Sequence, residues 1–381
     1  MKKALTLLLS LAIAFQVFAQ STTYNINYGG VVRNFAVHLP NNSSAGQNLP
    51  LVFNLHGFGM TAYLEEIYSQ MNPVADANNF IVVYPTGLSN GAGNAWNVGW
   101  YGNYHSGIDD VGFISKLIDT LSIMYSINPN RVYACGLSNG GFLSHRLACE
   151  LGNRIAAVAS VAGEFSDSVA YYCNPSRKIP VMMIHGTVDP TVPYSGLGGI
   201  GTEESISIWL NKNQCSQVND TLDIPDTNTT DTATAQRIDY RSCGDSTEVL
   251  FYKVINGGHT WPGSGLTVPY GPTCRDFNAS TEIWKFFNRY SLAGPLGINE
   301  PRQTPLEARV YPNPFTNEIK IEAEMEITKA EVLNTIGQTV LKTENFSGIN
   351  SLNLSQVNPG IYFLKMESKN GLLTKIVYKN Q

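Results

Sequence analysis

The strongest constraint on the fold is a series of short apolar runs that alternate with helical patterns between residues 28 and 290. The runs are strand candidates: Phe35–Leu39, Leu51–Leu55, Phe80–Tyr84, Arg131–Cys135, Ala156–Val161, Val181–His185 and Val249–Val254. Apolar runs without polar alternation are typical of strands that are buried on both faces of a parallel sheet. The helical patterns between them are Leu64–Asn78, Val111–Tyr125, Gly141–Glu150 and Ser280–Tyr290. This alternation predicts an α/β fold with a mostly parallel central sheet.

The two ends of the chain differ from this central region, which we place at residues 20–292. Lys2 and Lys3 precede an apolar stretch that ends in the small-residue pattern Val17–Ala19, which is typical of a secretory signal peptide over residues 1–19. Glycines and prolines at residues 293–307 predict a linker. Residues 308–381 consist of short alternating segments separated by glycines, and they predict a small antiparallel β-sandwich.

Composition excludes several kinds of partner. The formal net charge of the 381 residues is −5, without clusters of Lys and Arg, so the chain lacks the positive surface that binds nucleic acid or anionic lipid. Beyond the signal peptide, no segment reaches the roughly 18 continuous apolar residues that a membrane-spanning helix needs. Six cysteines in an exported chain predict disulfides, and their spacing argues against a structural zinc site. The pairing stays open on spacing alone.

The pentapeptide Gly-Leu-Ser-Asn-Gly occurs twice, at residues 87–91 and 136–140. In the nucleophile elbow of α/β-hydrolases, the serine of Gly-x-Ser-x-Gly lies on a strained turn from a strand into a helix. The first copy runs into further glycine-rich sequence that cannot begin a helix, so we predict that Ser89 lies in a loop. The second copy directly follows a predicted strand and precedes the helical pattern that begins at Gly141. Ser138 is therefore the predicted nucleophile.

A serine hydroxyl needs an imidazole to take its proton and a carboxylate to orient that imidazole. His259 follows the last predicted strand in a glycine-rich loop, and loops at the carboxyl ends of parallel strands are where such sheets place their chemistry. His145 lies about 10 Å beyond Ser138 along the same helix, and His185 ends a strand, where we expect a packed or backbone-bonded ring. The remaining histidines precede the serine: His38, His56 and His105. We predict His259 as the base.

The predicted acid is Asp189, which follows a strand in a tight loop and satisfies the order serine, acid, histidine of this fold. The competing carboxylates are Asp109, Asp110, Asp223 and Asp226. The first two stand at the start of a predicted helix, where capping and the helix dipole give them a structural role. The other two lie in a polar stretch, residues 220–234, which we predict to be an exposed loop.

The oxyanion that forms during acyl transfer needs preorganised hydrogen-bond donors. The backbone N–H of Asn139, directly after the serine, supplies one by position, and the N–H of Phe58 in the loop after an early strand is the predicted second donor. Aromatic residues predicted to line a substrate cleft are Trp96, Trp100, Tyr194 and Trp261. Core packing is the alternative for each tryptophan.

An ordered set of motifs resembles the family of feruloyl and acetylxylan esterases and poly(3-hydroxybutyrate) depolymerases. The motifs are His56-Gly-Phe-Gly59, Trp96-Asn97, Asp109-Asp-Val-Gly-Phe113, Gly136-Leu-Ser-Asn-Gly-Gly141, His185-Gly-Thr-Val-Asp-Pro190 and Gly258-His-Thr-Trp-Pro-Gly263. The resemblance implies an α/β-hydrolase with the triad Ser138, Asp189 and His259, which needs no metal or organic cofactor. It also suggests disulfides between Cys215 and Cys243 and between Cys149 and Cys173, with Cys135 buried and free.

This resemblance implies a secreted serine esterase that acts on feruloyl or acetyl esters of plant cell-wall polysaccharide. A polyester depolymerase is the first alternative. Depolymerases of this family often carry Cys and Gln after the His-Gly of the oxyanion loop, whereas Phe58 and Gly59 stand here, which favours the carbohydrate esters. The second alternative is a non-catalytic binding protein on a hydrolase scaffold.

The C-terminal segment resembles the sorting domain that is recognised by the type IX secretion system of Bacteroidota. The motifs that carry this resemblance are Val310-Tyr-Pro-Asn-Pro-Phe315, Asn334-Thr-Ile-Gly-Gln338 and Pro359-Gly-Ile-Tyr-Phe363. They imply export across the outer membrane, with the type IX machinery as a partner and a secreted or cell-surface location. A carbohydrate-binding sandwich is the alternative for this segment.

Overall fold

The computed structural model describes residues 21–41, 43, 46–100, 104, 106–197, 199–216, 218–296, 308–334, 338–368 and 371–380. The chain divides into two compact units, Met1–Leu296 and Gly297–Gln381. The predicted signal peptide and most of the predicted linker lie outside the described residues. The predicted domain boundaries therefore stay predictions.

A ten-stranded sheet forms the centre of the first unit, with two short strand pairs beside it. Its strands are β1 (Thr22–Tyr28), β2 (Val31–His38), β3 (Leu49–Leu55), β4 (Ile81–Pro85), β7 (Ile127–Leu137), β8 (Ala157–Val161), β9 (Val181–Gly186), β10 (Asn219–Ile224), β11 (Thr234–Tyr240) and β12 (Val249–Ile255). The short strands are β5 (Leu88–Ser89), β6 (Asn94–Ala95), β13 (Tyr290–Ser291) and β14 (Gly294–Pro295). All seven predicted strands are present.

The order of strands in the large sheet is β1-β2-β4-β3-β7-β8-β9-β12-β11-β10. The six central strands, from β4 to β12, pair in parallel, and the outer strands pair antiparallel. Most positions of the central strands are buried on both faces, which agrees with their largely apolar sequence, and the main exception is the polar first part of β7, residues 128–131. This topology confirms the predicted α/β-hydrolase fold with a mostly parallel sheet.

Helices pack on both faces of this sheet. The sheet therefore lies between two apolar cores, one on each face. They are α1 (Ala62–Ser69), α2 (Met71–Asn78), α3 (Asp110–Met124), α4 (Asn139–Glu150), α5 (Asp167–Tyr172), α6 (Thr202–Asn213) and α7 (Ala279–Phe287). Asp109 caps α3 by accepting a hydrogen bond from Gly112, as its position before the helix predicts. Within the described part of the chain, no helix combines the length and apolar character needed to cross a membrane.

Two predictions for this unit are wrong in detail. The single helix predicted at Leu64–Asn78 is two helices, separated at Gln70, which adopts the left-handed conformation with φ 51°. Pro73 explains the break, because its ring would clash with a carbonyl of the preceding turn if one helix continued through it. The polar stretch at residues 220–234 is not all loop, because β10 occupies its first part. Asp223 lies on this edge strand and accepts a hydrogen bond from Gln236 of β11.

The first unit contains two disulfides, which join Cys149 to Cys173 and Cys215 to Cys243. Both pairings that the family resemblance suggested are confirmed. Cys135 is buried and free, also as suggested, and Cys274 is the second free and buried cysteine among the described residues.

The second unit is an antiparallel β domain, as predicted. Its strands are β15 (Ala308–Tyr311), β16 (Glu318–Leu333), β17 (Thr339–Asn353), β18 (Gly360–Ser368) and β19 (Gly371–Lys379). β16 and β17 continue across a register shift between Ala323 and Ile327, so these two strands are longer than the short segments that the sequence predicts. The strands form one hydrogen-bonded sheet around a separate apolar core.

Candidate active site

The second Gly-Leu-Ser-Asn-Gly copy forms a sharp turn between β7 and α4. Ser138 has φ 53° and ψ −119°, a conformation that L-residues rarely adopt, and its N–H donates to the carbonyl of Val161 at 2.8 Å. A Cβ on Gly140 would lie 2.0 Å from the carbonyl oxygen of Leu55, and one on Gly136 would lie 2.5 Å from the same atom. Both glycines are therefore needed because β3 passes directly against the turn.

His259 and Asp189 form a buried hydrogen-bonded pair at the carboxyl edge of the same sheet. Nδ1 of His259 lies 2.7 Å from Oδ2 of Asp189, and the side chains are 8% and 0% exposed. The other oxygen of Asp189 accepts the N–H groups of Thr191 and Val192, each at 2.8 Å. An ionised carboxylate only accepts hydrogen bonds, so Nδ1 of His259 is the donor. Nε2 is then the nitrogen that can accept a proton.

A second histidine packs beside this pair. Nε2 of His185 donates to the carbonyl of Val192 at 2.9 Å and lies 3.6 Å from Oδ2 of Asp189. Burial lowers the pKa of His185, so the ring is neutral and held by the backbone. This is the backbone-bonded state that its position at a strand end predicted.

The loop after β3 lies against the nucleophile. A Cβ on Gly57 would lie 3.5 Å from Cβ of Ser138, so the chain that carries the N–H of Phe58 runs directly beside the serine. Asn139 is the first residue of α4, where a backbone N–H has no acceptor within its own helix. The side chain of Phe58 is half exposed. Both predicted oxyanion donors thus lie in segments that adjoin Ser138.

His56 fixes this loop in a way that the sequence did not reveal. Its Nδ1 lies 2.7 Å from the carbonyl oxygen of Gly57, and its Nε2 accepts the N–H of Gly87 at 2.9 Å. Nδ1 must therefore carry the proton. Burial lowers the pKa of His56 to about 4, which keeps the ring neutral and preserves both hydrogen bonds.

The first Gly-Leu-Ser-Asn-Gly copy forms a hairpin that is hydrogen-bonded to the loop after β3. It forms β5 and the turn to β6, and Asn94 of β6 accepts the N–H of Gly59 at 2.8 Å. Ser89 is exposed, but it ends the short strand β5 and so does not lie in a loop as predicted. It lines a cavity of about 850 Å³ whose described lining residues include no histidine. Ser89 thus lacks the imidazole partner that a nucleophile requires.

The four predicted aromatic contacts divide into two groups. Trp96 and Trp261 are buried, and their indole N–H groups donate to the carbonyl of His56 at 2.9 Å and to Ser280 at 3.1 Å. These contacts account for both tryptophans as part of the core, the alternative that the sequence left open. Trp100 and Tyr194 are half-buried.

Trp100 lines a cavity of about 120 Å³ beside the first turn of α4. Its ring packs edge-on against Phe142 with centroids 4.9 Å apart. Glu164, which follows β8, lines the same cavity and is fully buried. Sequence analysis did not identify Glu164, because a single carboxylate after an apolar strand carries no motif. Tyr194 instead donates a hydrogen bond to Glu203.

The carboxylates that competed with Asp189 have other partners. Asp110 forms a buried ion pair with Arg33 at 2.7 Å and accepts the N–H of Asn97 at 2.6 Å. Asp109 caps its helix and accepts the hydroxyl of Tyr28 at 2.5 Å. Over the described parts of the chain, no group of three or more His, Cys, Asp or Glu residues is arranged to hold a metal ion.

Two family models match this chain. The model described as "Putative esterase" matches residues 29–263, and the model described as "Secretion system C-terminal sorting domain" matches residues 309–379. The first match covers more than half of the chain and includes Ser138, Asp189 and His259.

This chain is similar to three proteins that are named as esterases or a depolymerase. Feruloyl esterase D of Neurospora crassa is 26% identical over 296 residues, which cover 71% of this chain and 86% of the relative. The bifunctional acetylxylan esterase/xylanase of Neocallimastix patriciarum is 25% identical over 272 residues, which cover 71% of this chain and 35% of the relative. Poly(3-hydroxyalkanoate) depolymerase C of Paucimonas lemoignei is 31% identical over 184 residues, or 45% of this chain and 42% of the relative. The matched regions thus span less than half the length of the last two.

Proposed function

The chain belongs to the esterase family, and we propose that Ser138, His259 and Asp189 are its catalytic triad. The observation that supports this assignment best is the buried 2.7 Å contact between His259 and Asp189. It lies at the sheet edge where the strained Ser138 also stands. The backbone N–H groups of Phe58 and Asn139 form the proposed oxyanion hole.

The reaction is a two-step acyl transfer. Nε2 of His259 takes the hydroxyl proton as Oγ of Ser138 bonds to the ester carbonyl carbon, and the two N–H groups stabilise the negative oxygen. When the intermediate collapses, the carbon–oxygen bond to the alcohol breaks and His259 returns the proton to that alcohol. Water then attacks the acyl-enzyme with the same proton transfers, which releases the acid and regenerates Ser138.

The two identical pentapeptides provide a matched test of this assignment. Ser138→Ala removes the proposed nucleophile, and we expect kcat on 4-nitrophenyl acetate to fall by about 10⁴-fold or more. Ser89→Ala, in the same five-residue context, should leave kcat within about twofold. Unchanged hydrolysis by Ser138→Ala would refute the triad and favour a non-catalytic binding protein on this scaffold.

For the substrate, we propose feruloyl or acetyl esters on plant cell-wall polysaccharide. The support comes from the relatives, two of which are named as a feruloyl esterase and an acetylxylan esterase/xylanase. A polyester depolymerase is the second candidate, favoured by the 31% identity with the poly(3-hydroxyalkanoate) depolymerase. Acid release from methyl ferulate, acetylated xylan, poly(3-hydroxybutyrate) and a terephthalate polyester separates them. Release from the polyesters alone would reverse the order of the two candidates.

The sorting domain indicates export to the cell surface or the extracellular space. We propose that residues 1–19 first direct the chain across the inner membrane and that the type IX machinery then recognises the sorting domain. The net charge of −5 disfavours nucleic acid as a partner. Removal of residues 308–381 should retain esterase activity inside the producing cell, which fractionation would detect.

A further inference from the structure

Trp96 is hydrogen-bonded to both segments that carry the proposed oxyanion donors. Its indole N–H donates to the backbone carbonyl of His56 at 2.9 Å, two residues before Phe58. Its backbone N–H donates to Oδ1 of Asn139 at 2.7 Å, and its carbonyl accepts Nδ2 of the same side chain at 3.3 Å. Trp96, His56 and Asn139 are each at most 3% exposed. One buried residue thus connects the loop after β3 to the first residue of α4.

The segment before Trp96 runs along the oxyanion loop. The carbonyl of Asn94 accepts the N–H of Gly59 at 2.8 Å, and Nδ2 of Asn94 donates to the carbonyl of Met60 at 2.9 Å. These two contacts lie after Phe58 in the loop, and the contact of the Trp96 indole lies before it. The backbone around the N–H of Phe58 is therefore held from both sides.

Buried charges anchor the chain directly after Trp96. The N–H of Asn97 donates to Oδ2 of Asp110 at 2.6 Å, and Oδ1 of Asp110 pairs with Arg33 at 2.7 Å. The carbonyl of Asn97 accepts Nη1 of Arg146 at 2.8 Å. Breaking such contacts is costly, because a buried charge that loses its partner is not solvated by water. These contacts fix the position of Trp96 independently of the two oxyanion segments.

The two oxyanion donors belong to segments that are far apart in the sequence, so their separation depends on tertiary contacts. Both N–H groups must lie about 2.7 to 3.1 Å from the developing oxygen to stabilise it. On the basis of the proposed esterase function, we propose that Trp96 is a positioning residue that sets the distance between the N–H groups of Phe58 and Asn139. Trp96 acts through its hydrogen bonds to the two segments.

The test compares two buried tryptophans in the full chain, each of which donates one indole hydrogen bond at 2.9 Å. Trp96→Phe removes the donor to His56, and Trp209→Phe removes the donor to Nδ1 of His145. Both substitutions delete the same group, so we expect similar losses of stability. Only Trp96→Phe should lower kcat/KM on 4-nitrophenyl acetate, by about tenfold or more, since loss of a whole oxyanion donor costs about 100-fold to 1,000-fold. Trp209→Phe should stay within about twofold of the wild type.

Inhibition by a trifluoromethyl ketone gives a readout that a general loss of stability does not change. This ketone adds to the hydroxyl of Ser138 and forms a tetrahedral anion in the oxyanion hole, so its affinity follows the stabilisation of the transition state. Its inhibition constant should rise in Trp96→Phe by about the factor by which kcat/KM falls. The inhibition constant of Trp209→Phe should match that of the wild type.

Wild-type kcat/KM in folded Trp96→Phe, or a loss of kcat/KM with an unchanged inhibition constant, would overturn the role of Trp96. If Trp96→Phe does not fold, Asn139→Ala decides by the same two measurements. Asn139→Ala removes both hydrogen bonds to Trp96 and keeps the backbone N–H at position 139. Activity that persists in Ser138→Ala would instead refute the proposed esterase function. An inactive Ser138→Ala beside a fully active Trp96→Phe would refute the role of Trp96 alone.

Discussion

The same five residues, Gly-Leu-Ser-Asn-Gly, adopt two unrelated structures in this chain. At residues 136–140 they form the turn from a buried strand into a helix, and at residues 87–91 they form an exposed hairpin. The serine has φ 53° in the first case and lies in a two-residue strand in the second. The pentapeptide is thus compatible with both structures, and the flanking sequence decides between them.

The glycines show most clearly why the two copies are not equivalent. Gly140 is needed because β3 approaches so closely that no Cβ fits, whereas Gly91 is needed for its positive φ of 93° and has open space around it. The first is a packing requirement that involves a distant segment, and the second is a local backbone requirement. The copies are nevertheless connected, because the hairpin of the first supports the loop that lies beside the serine of the second.

The largest difference between the copies should appear when each last glycine becomes alanine. Gly140→Ala places a methyl group 2.0 Å from the carbonyl oxygen of Leu55, so the elbow or the oxyanion loop must move. A displacement of about 1 Å at reacting groups can cost about 100-fold, and we expect kcat/KM on 4-nitrophenyl acetate to fall at least that much. Gly91→Ala should lower the stability by about 1 kcal/mol and leave kcat/KM unchanged. Similar activity in both variants would show that the packing difference has no catalytic importance.

The link between the copies should make stability depend on pH through His56. Its pKa is near 6.5 in the unfolded chain and about 4 in the fold, so between these values the unfolded chain binds more protons. The neutral ring of His56 therefore contributes its full stabilisation to the fold above pH 6.5. This contribution decreases by about 3 kcal/mol in total as the pH drops towards 4. Urea unfolding at pH 7 and pH 4.5 measures how much the free energy of unfolding decreases on acidification. This decrease should be smaller by roughly 2 to 3 kcal/mol in His56→Gln than in the wild type. Equal losses would contradict a buried, neutral imidazole at His56.

The smallest contrast is expected at the asparagines. Asn139 exchanges two hydrogen bonds with the backbone of Trp96, at 2.7 and 3.3 Å, and is buried. Asn139→Ala should lower the free energy of unfolding by about 1 to 2 kcal/mol, since a buried N–H loses its partner. The side chain of Asn90 accepts the N–H of Ala92 in an exposed turn, so Asn90→Ala should change the free energy of unfolding by less than about 0.5 kcal/mol. Equal effects in thermal or urea denaturation would argue against the buried link.

The central sheet could be predicted from the sequence because most positions of its strands are buried on both faces and apolar, so each strand contains a continuous apolar run. The edge strand β10 and its neighbour β11 could not, since their sequences include polar residues such as Asp223 and Arg237 and offer no apolar run. The break at Gln70 was missed although Pro73 lies three residues later. The rule that proline interrupts a helix was sufficient to predict this break, but the helical periodicity on both sides of Pro73 favoured a single helix.

Chain order was enough to propose Ser138, Asp189 and His259 together, and the structure brings His259 and Asp189 into contact. Chain order was not enough where the role depends on a partner far along the chain. His56 is separated from Gly87 by 31 residues, and Glu164 from Thr202 by 38. Only the folded chain shows that these partners meet, and neither residue stands in a spacing that indicates its contacts.

The Cys149–Cys173 disulfide joins the last turn of α4 to the end of α5, and so it encloses the segment that carries Glu164. Such a bond forms outside the reducing cytosol. Helix α4, which directly follows Ser138, and the end of α5 are therefore joined covalently only once the chain has left the cytosol. We expect a precursor retained in the cytosol to be less stable to unfolding than the exported protein, because only the exported protein carries this cross-link.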